Sequence, residues 1–347
     1  MIDTNPLQIK LNHRNWKQAL SNAFNLLAYA APGEVVCIVG PSRAGKSRLI
    51  EELQVLLGGK ESDVGYNPRT CVTLEAESEG SGGAFSTKAF TYSMLEAVGH
   101  PFTQLGGDDI EMAGRFDRTT ESAMKKMLKS RFVRENVRYL FIDEAQHVKY
   151  SAAAKYAPHA VMDSWKSFAA KAKLVLVVVG TYPIINIIKN SSHLAGRTAV
   201  IQIDRYQKNK EDFEQFLSIA SAYKNQLERA KDLKLKPCIK LLHAQTFGCI
   251  GLLRLWFIAA NARAHTQNLP ITIEILKNTA HPKLFLKSIW DEISQGEKLL
   301  ETLEGESLTP MDVEKPTSIK QAASKSKPFN RNAQRYEPGN RVTEEVK

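Results

Sequence analysis

At residues 40–47 the chain reads Gly40-Pro41-Ser42-Arg43-Ala44-Gly45-Lys46-Ser47, which matches the spacing G-x-x-x-x-G-K-[S/T]. The preceding residues 34–39 form an apolar run typical of a buried strand, and residues 48–53 have helical spacing. A strand, a glycine-rich loop and a helix in this order predict a loop whose backbone N–H groups and helix N-terminus hold phosphates. A chance glycine-rich turn is the less favoured interpretation because both flanks fit.

The side chains of this loop predict how a nucleotide and a metal ion are held. The Lys46 ammonium would reach the outer phosphates, and the Ser47 hydroxyl would ligate Mg²⁺. The predicted nucleotide-contacting residues of this stretch are Gly40, Pro41, Ser42, Arg43, Ala44, Gly45, Lys46, Ser47 and Arg48. By itself the loop predicts ATP or GTP with Mg²⁺ and does not select between them.

A second motif follows further along the chain, where the apolar residues 139–142 precede Asp143 and Glu144. This is the Walker B pattern. A buried strand would deliver Asp143 at its carboxyl end to hold Mg²⁺ through water, because Mg²⁺ prefers carboxylate and water oxygens. Glu144, one position later, is suited to orient and polarise the water that attacks the terminal phosphorus. Two solvated acids at a strand end are the alternative, which the phosphate loop disfavours.

The length, net charge and composition of the chain limit the partners and the cellular compartment that we expect. The chain has 347 residues, enough for one large domain or two smaller ones. Its formal net charge of +10 indicates a polyanionic partner, with nucleic acid ahead of a membrane. Because no run of about 18 apolar residues and no signal or transit peptide is found, we expect a cytoplasmic, nucleoid-associated protein. We expect reduced cysteines and no metal site at Cys37, Cys71, Cys238 and Cys249.

Two stretches between the motifs bear on partners. The serine- and glycine-rich residues 75–87 follow a predicted strand at 69–74, so they contact nucleic acid or a neighbouring subunit, or form a solvated connection. Residues 115–138 are basic, and a buried stripe with Met124 and Leu128 would leave the cations on the outer face of a helix. That face is simply solvated or contacts the nucleic-acid backbone. The candidate DNA-binding residues are Lys88, Arg115, Arg118, Lys125, Lys126, Lys129 and Arg131.

The predicted fold class is α/β, with a parallel sheet flanked by helices. We expect an N-terminal helical extension at 1–31, a nucleotide-binding core at 32–205, a small helical lid at 206–304 and a disordered tail at 305–347. The lid helices are predicted at 212–227, 237–246, 249–264 and 272–279. The tail has too few apolar residues to offset its ordering entropy, and its cations and aromatics are typical of a segment that docks on a partner or on DNA.

Five segments in this order resemble the TniB/TnsC family of AAA+ transposition regulators. They are GPSRAGKS (40–47), RYLFIDEAQH (138–147), VVVGT (177–181), LAGRTAVIQI (194–203) and FGCIGLLR (247–254). The resemblance covers roughly residues 12–300, and its more specific parts are IDEAQH and FGCIGLLR. The serine- and glycine-rich loop and the long tail depart from the common family pattern.

The resemblance implies roles for three further residues. Thr181 would be the sensor 1 residue that contacts the γ-phosphate or the attacking water, and Arg197 the arginine finger that reaches the adjacent subunit's nucleotide. Arg254 would contact the phosphates as a sensor 2 residue, next to glycines that would allow close backbone approach to the nucleotide. The alternatives are a surface arginine at 197, and at 248–254 glycines that serve helix packing. The implied catalytic set is Lys46, Asp143, Glu144, Thr181 and Arg197.

The family also implies a function. It consists of Mg²⁺-dependent ATPases that form hexamer- or heptamer-like rings, or filaments, on double-stranded DNA and link a TniQ-type target-selection protein, in some elements a CRISPR effector, to the transposase. The alternative is a STAND or initiator-like nucleotide switch with no part in transposition. An initiator would be expected to add a winged-helix pattern after residue 300 and a STAND protein to continue into repeats, and neither pattern is found.

Overall fold

The computed structural model describes residues 7, 9–59, 67, 69–77, 84–104, 114, 116–151 and 158–304. Within them a parallel sheet has the strand order β2-β3-β4-β1-β5. The strands are β1 (Val35–Val39), β2 (Cys71–Glu75), β3 (Tyr139–Asp143), β4 (Val175–Gly180) and β5 (Thr198–Gln202). The three inner strands are buried along their whole length because helices cover both faces of the sheet.

The helices before and between the strands are α1 (Arg14–Tyr29), α2 (Lys46–Gly58), α3 (Thr87–Ala97), α4 (Pro101–Gln104), α5 (Glu121–Arg134), α6 (Pro158–Ala172), α7 (Pro183–Lys189) and α8 (Ser192–Ala195). After β5 come α9 (Lys210–Asn225), α10 (Ile239–Ala244), α11 (Ile250–Thr266), α12 (Ile273–Asn278) and α13 (Lys283–Glu304). Short 3-10 helices lie at Ala145–Tyr150, Glu228–Ala230 and Lys236–Cys238.

The strand register aligns the ends that carry the motifs. Val39 pairs with Gly180, and Asp143 pairs with Glu75, so these residues lie along one edge of the sheet, which we call the carboxyl edge. Val35 lies at the other end of β1 and pairs with Thr198; we call this end the amino edge. A five-residue strand such as β1 separates the two edges by about 13 Å.

The apolar core is divided by the sheet. Alternate residues of β1 face opposite sides, so that Cys37 packs with α3, α5, α6 and α7, whereas Val36 and Ile38 pack with α1 and α2. A third cluster lies among α9 to α12 and includes Tyr206, Phe216 and Trp256. The predicted α/β fold with flanking helices is confirmed.

The structure adds one long helix that the sequence patterns did not predict. Residues 283–304, the last part of the predicted lid, form α13, which carries a glycine at position 296. Contacts join the chain up to Leu303 into one compact unit, and Cys249 and Ile293 of the lid belong to the cluster on one face of the sheet. The boundary at 205/206 therefore stays a prediction, and the tail at 305–347 lies outside the described residues. No described helix is long and apolar enough to cross a membrane.

Candidate nucleotide site

The glycine-rich loop connects β1 to α2 at the carboxyl edge. Arg43 (φ +63°) and Gly45 (φ +93°) adopt left-handed backbone conformations. Such residues turn consecutive N–H groups toward the inside of a loop, which makes a concave anion site. Because α2 begins at Lys46, its N-terminus adds the positive end of a helix dipole. The loop thus has the backbone that the sequence predicts.

Lys46 is a buried cation without an anionic partner. It is 5% exposed, and its Nζ donates to the carbonyl oxygens of Gly40 (3.3 Å) and Pro41 (3.0 Å). It forms no ion pair with any residue that the structure describes. Burial lowers the pKa of Lys46, while the negative charges of Glu144 and Asp143 oppose that shift. A desolvated ammonium in a loop of N–H groups fits a polyphosphate.

Ser47 and Asp143 lie side by side. The Ser47 hydroxyl donates to Asp143 Oδ2 (2.8 Å), and the N–H of Glu144 donates to Asp143 Oδ1 (2.8 Å). One hydroxyl and one carboxylate suit Mg²⁺, which keeps several waters and takes its remaining ligands from phosphates. No cluster of three or more His, Cys, Asp or Glu side chains that could hold a metal unaided occurs in the described part of the chain. The donors therefore fit an ion that arrives with a nucleotide.

Acidic groups gather along the carboxyl edge. Burial raises the pKa of Glu75 above its ordinary range, and the charges of Asp143, Glu144 and Glu77 raise it further. Glu75 is the last residue of β2 and pairs with Asp143. This accumulation of negative charge favours a divalent cation at the same edge.

Glu144 and Thr181 are brought together by Gln146. Glu144 has a left-handed backbone (φ +48°) where β3 passes into the 3-10 helix. Gln146 Nε2 donates to Glu144 Oε2, and the Thr181 N–H donates to Gln146 Oε1 (3.1 Å). Thr181 follows β4, which lies between β1 and β3, so it stands between the two motifs as the resemblance implies. The sequence analysis did not select Gln146, although a polar residue one turn after the Walker B acids was a signal.

A cleft of about 480 Å³ opens beside the loop. Its walls come from the N-terminal segment before α1, from the loop at residues 43–45 and from the start of α11. The lining residues include Leu7, Ile9, Leu11, His13, Trp16, Tyr223 and Ile250. The lining also includes the cations Lys10, Arg43, Arg48 and Arg254. A partly apolar cleft next to a phosphate site fits the base of a nucleotide. The contribution of residues 7 and 9–16 to this cleft was not predicted, although the apolar residues Leu7, Ile9 and Leu11 alternate along the sequence.

Two arginines predicted at the nucleotide have their side chains tied to the N-terminal segment. Arg48 Nη1 donates to the Leu11 carbonyl (2.7 Å), and the guanidinium lies 4.2 Å from the Trp16 ring centre. Arg254 Nε donates to the Leu7 carbonyl (2.7 Å) at the edge of the cleft. The nucleotide-contacting roles of Arg48 and Arg254 stay predictions.

Glycines allow close approach in the FGCIGLLR segment. A Cβ on Gly251 would lie 2.3 Å from the Arg43 carbonyl oxygen, so the start of α11 lies directly against the phosphate loop. Gly248 (φ +77°) lies just as close to Tyr206, where a Cβ would come within 1.9 Å of the carbonyl oxygen. The close approach predicted for these glycines is therefore made to the protein's own backbone.

Helix α13 lies next to the site. Glu297 forms a bidentate ion pair with the buried Arg205 (Nε–Oε1 2.7 Å, Nη2–Oε2 2.8 Å). Gly296 packs against Tyr182, the residue after Thr181. Glu292 Oε1 is buried and has no hydrogen-bond partner among the described residues. The end of the predicted lid thus packs against the residue that follows Thr181.

Arg197 lies at the opposite end of the sheet. Its carbonyl accepts from the Val35 N–H (3.1 Å), which places it at the amino edge, immediately before β5. Its side chain is exposed and makes no hydrogen bond or ion pair with the described residues. A groove of about 530 Å³ surrounds it, formed by residues 30–36 and 195–199 together with Leu26. Arg197 therefore cannot reach the phosphate loop of its own chain.

The predicted DNA-binding residues fall into two groups. Lys126 and Lys129 are exposed on α5 and have no partner among the described residues. The others make contacts within the chain: Lys88 with Phe116 and the Asp117 carbonyl, Arg118 with the Gly114 carbonyl, Lys125 with Glu121 and Ser164, and Arg131 with Glu135 and the Val98 carbonyl. Arg115 and residues 78–83 of the serine- and glycine-rich loop lie outside the described residues.

Comparisons with known proteins agree with this architecture. A family model described as an AAA domain matches residues 31–188. The chain is similar to the Orc1 protein of Aeropyrum pernix, solved in complex with DNA (14% identity, TM-score 0.53, 88% of this chain and 82% of that one). It is also similar to the ADP form of Orc2 from A. pernix (10%, 0.51, 80% and 70%) and to a Walker-type ATPase of Pyrococcus abyssi (11%, 0.50, 85% and 85%). No curated protein matches the chain.

At these identities the likeness to solved structures shows the fold alone. The narrower resemblance to the TniB/TnsC family stays a prediction. Sheet order, flanking helices, phosphate loop and family match together show that the chain has the AAA+ P-loop NTPase fold.

Proposed function

We propose that this chain is a Mg²⁺-dependent ATPase that assembles on double-stranded DNA when ATP is bound, and that it links a TniQ-type target-selection protein to a transposase. One observation carries the proposal. The groups suited to bind and hydrolyse ATP lie at the carboxyl edge, whereas Arg197 stands exposed at the amino edge. A site with its stabilising arginine at the far end of the same molecule requires a second molecule.

The first step of the argument concerns the nucleotide. Lys46 and the loop N–H groups neutralise and orient the phosphates, while Ser47 and Asp143 hold the metal ion. When bound, Mg²⁺ neutralises charge on the outer phosphates. Glu144, held by Gln146, orients the attacking water and accepts its proton. Thr181 lies where it would sense the terminal phosphate.

The second step concerns assembly. A guanidinium stabilises charge spread over several phosphate oxygens, and Arg197 is presented in an open groove at the amino edge. Joining the amino edge of one chain to the carboxyl edge of the next is a head-to-tail contact. Such contacts produce a ring when the rotation closes and a filament when it does not. ATP would stabilise the assembly, and hydrolysis would release it.

The third step concerns DNA. Lys126 and Lys129 lie three residues apart on the outer face of α5, and Arg134, the last residue of this helix, is also exposed. These cations suit phosphate contacts, which give affinity without sequence preference. The TniQ-type protein and the transposase enter the proposal through the motif resemblance alone.

Assembly can be tested by electron microscopy and sedimentation with a long duplex DNA and a non-hydrolysable ATP analogue. Rings or filaments with the analogue, but not with ADP, would support the proposal. The Glu144→Gln protein should form the same assemblies with ATP itself and keep them, whereas Lys46→Ala should form none. Normal assembly by Lys46→Ala on DNA would refute the nucleotide-driven step.

A second candidate is an initiator-like DNA-bound switch outside transposition. It is favoured by the likeness of 88% of the chain to a structure described as Orc1 in complex with DNA. The two candidates differ in their partners, because only the first requires a transposase. Reconstituted strand transfer with the transposase and TniQ-type protein of the same element separates them. Strand transfer that does not depend on this chain would leave the initiator-like function.

A further inference from the structure

Gln146 is fixed in one position at the carboxyl edge. Its side chain is 6% exposed, and both ends of its amide are bonded, one to Glu144 and one to the backbone of Thr181. The direction of the amide follows from its partners. The Thr181 N–H can only donate and an ionised Glu144 carboxylate can only accept, so Oε1 faces Thr181 and Nε2 faces Glu144.

The sheet has space for the Gln146 side chain beside Thr181 because the preceding residue, Gly180, has no side chain. A Cβ on Gly180 would lie 2.2 Å from Gln146 Oε1, closer than atoms can approach. Gly180 itself does not have a positive φ, so its role here is to leave space. The strand that carries Thr181 is thus shaped to receive the amide of Gln146.

Glu144 needs such a support. Its left-handed backbone costs about 1 kcal/mol or more for a residue with a side chain. One carboxylate oxygen is occupied by the Gln146 amide. This hydrogen bond restricts the rotation of the carboxylate, and a fixed base is more effective than a mobile one.

We infer that Gln146 is a positioning residue for Glu144, and that it links this carboxylate to the backbone of the sensor position Thr181. If contact with the terminal phosphate moves Thr181, the Gln146 amide moves with it, and the Glu144 carboxylate bonded to that amide is reoriented. The inference rests on the proposed ATPase function. It adds a residue that contacts neither nucleotide nor metal but fixes the orientation of Glu144, which activates the attacking water.

The direct test is Gln146→Met, which keeps the length of the side chain and removes both hydrogen bonds. We expect kcat for ATP hydrolysis to fall about 10- to 100-fold, with KM and nucleotide affinity unchanged. The matched control is Gln54→Met on α2, which loses one side-chain hydrogen bond, to Thr73 (2.8 Å), away from this edge. Equal kcat values for the two variants would overturn the inference.

A double-mutant cycle separates positioning from general damage. In a Glu144→Gln background the carboxylate is absent, so adding Gln146→Met should not slow the residual single-turnover hydrolysis further. If Gln146→Met instead lowers this residual rate by the same factor as in the unaltered protein, Gln146 does not act through Glu144.

A second variant separates the two hydrogen bonds. Gln146→Glu keeps an acceptor for the Thr181 N–H, but it removes the donor to Glu144 and sets one carboxylate against another. Its kcat should therefore fall about as far as that of Gln146→Met, and full kcat would contradict the inference.

The outcomes distinguish this inference from the proposed function. If the unaltered protein does not hydrolyse ATP, or if Glu144→Gln hydrolyses it at the full rate, the proposed function fails and the inference fails with it. If Glu144→Gln is inactive while Gln146→Met and Gln146→Glu retain full kcat, only the inference fails.

Discussion

The two edges of the sheet are built in opposite ways. At the carboxyl edge the polar side chains hold one another: Ser47 bonds Asp143, and Gln146 joins Glu144 to Thr181. At the amino edge Arg197 extends into an open groove without a partner among the described residues. At the carboxyl edge the side chains are ordered by mutual contacts before a ligand binds. At the amino edge the Arg197 guanidinium has no partner among the described residues.

This difference indicates what kind of partner each edge binds. A buried cation such as Lys46 is tolerated because a polyanion is its intended partner, so its edge binds a ligand. An exposed, unpaired arginine costs nothing to keep and contributes little to stability within its own chain. The Arg197 guanidinium can therefore interact with another molecule. The predictions below therefore separate effects within one chain from effects between chains.

The largest effect should come from Lys46→Ala. Removing the ammonium leaves the outer phosphates without their charge-assisted hydrogen bonds, so nucleotide affinity should fall at least about 100-fold and hydrolysis should be lost. Isothermal titration with ATP and Mg²⁺ measures the affinity. Lys126→Ala, which removes an exposed lysine, is the control and should bind normally. A Lys46→Ala affinity within threefold of the unaltered value would contradict the site.

Arg197→Ala should lower kcat about 1,000-fold without changing nucleotide affinity, because an arginine finger acts on the transition state of the neighbouring site. The control is Arg263→Ala, which removes an exposed arginine of α11. The comparison is sharpest in a mixture of Arg197→Ala and Glu144→Gln chains, which both bind ATP and are each inactive alone. In an equal mixture about a quarter of the head-to-tail interfaces combine an intact Glu144 with an intact Arg197. Absence of recovered activity in such mixed assemblies would place Arg197 outside the site.

His13 should make stability depend on pH. Burial, assisted by the charge of Arg48, lowers the pKa of His13 from 6.5 to about 4. The unfolded chain therefore binds a proton more readily than the folded one, so stability is complete above pH 6.5 and declines as the pH falls toward 4. Between pH 7 and pH 5 we expect a loss on the order of 1–2 kcal/mol in the free energy of unfolding, measured by urea denaturation.

His13→Asn should flatten this dependence while keeping an acceptor for the Trp16 N–H that caps α1. Arg197→Ala should leave the dependence unchanged, since the described residues of the amino edge include no comparable buried group. If His13→Asn and the unaltered protein show parallel pH dependences, another group is responsible.

The smallest effect concerns the basic face of α5. Lys126→Ala and Lys129→Ala should each weaken binding to duplex DNA about 3- to 10-fold, regardless of sequence, and reduce the salt dependence of binding by about one ion. Lys125→Ala is the matched control, because Lys125 is paired with Glu121 (2.6 Å) and bonded to Ser164 (3.0 Å). Fluorescence anisotropy at several salt concentrations measures both quantities. A larger loss for Lys125→Ala than for Lys126→Ala would refute this face as the contact.

The sequence predicted those parts of the site whose chemistry and local structure lie in one contiguous stretch. Residues 40–47 specify a loop and its ligand together, and Asp143 and Glu144 follow their own buried strand, so both motifs were located from pattern alone. The AAA+ P-loop fold predicted from them is confirmed. The roles of the individual residues stay predictions.

What the sequence did not predict depends on contacts between distant residues. Gln146 bonds a backbone group 35 positions away, and Arg48 is held by Leu11, 37 positions away. Lys125 differs from Lys126 in its contacts with Glu121 and Ser164, and the contact with Ser164, on another helix, cannot be read from the helical pattern. Helix α13 was missed because an interior glycine lowers helix propensity by about 1 kcal/mol, and its packing partner Tyr182 lies in another part of the chain.

The contact between Gly296 and Tyr182 has a consequence for the evolution of the protein. A Cβ at position 296 would lie 2.0 Å from the Tyr182 Cγ, so neither residue can grow while the other keeps its size. Relatives that retain this packing can carry a side chain at 296 only with a smaller residue than tyrosine at 182. The two positions should therefore covary in an alignment of such relatives. Independent variation would mean that α13 is placed differently in them.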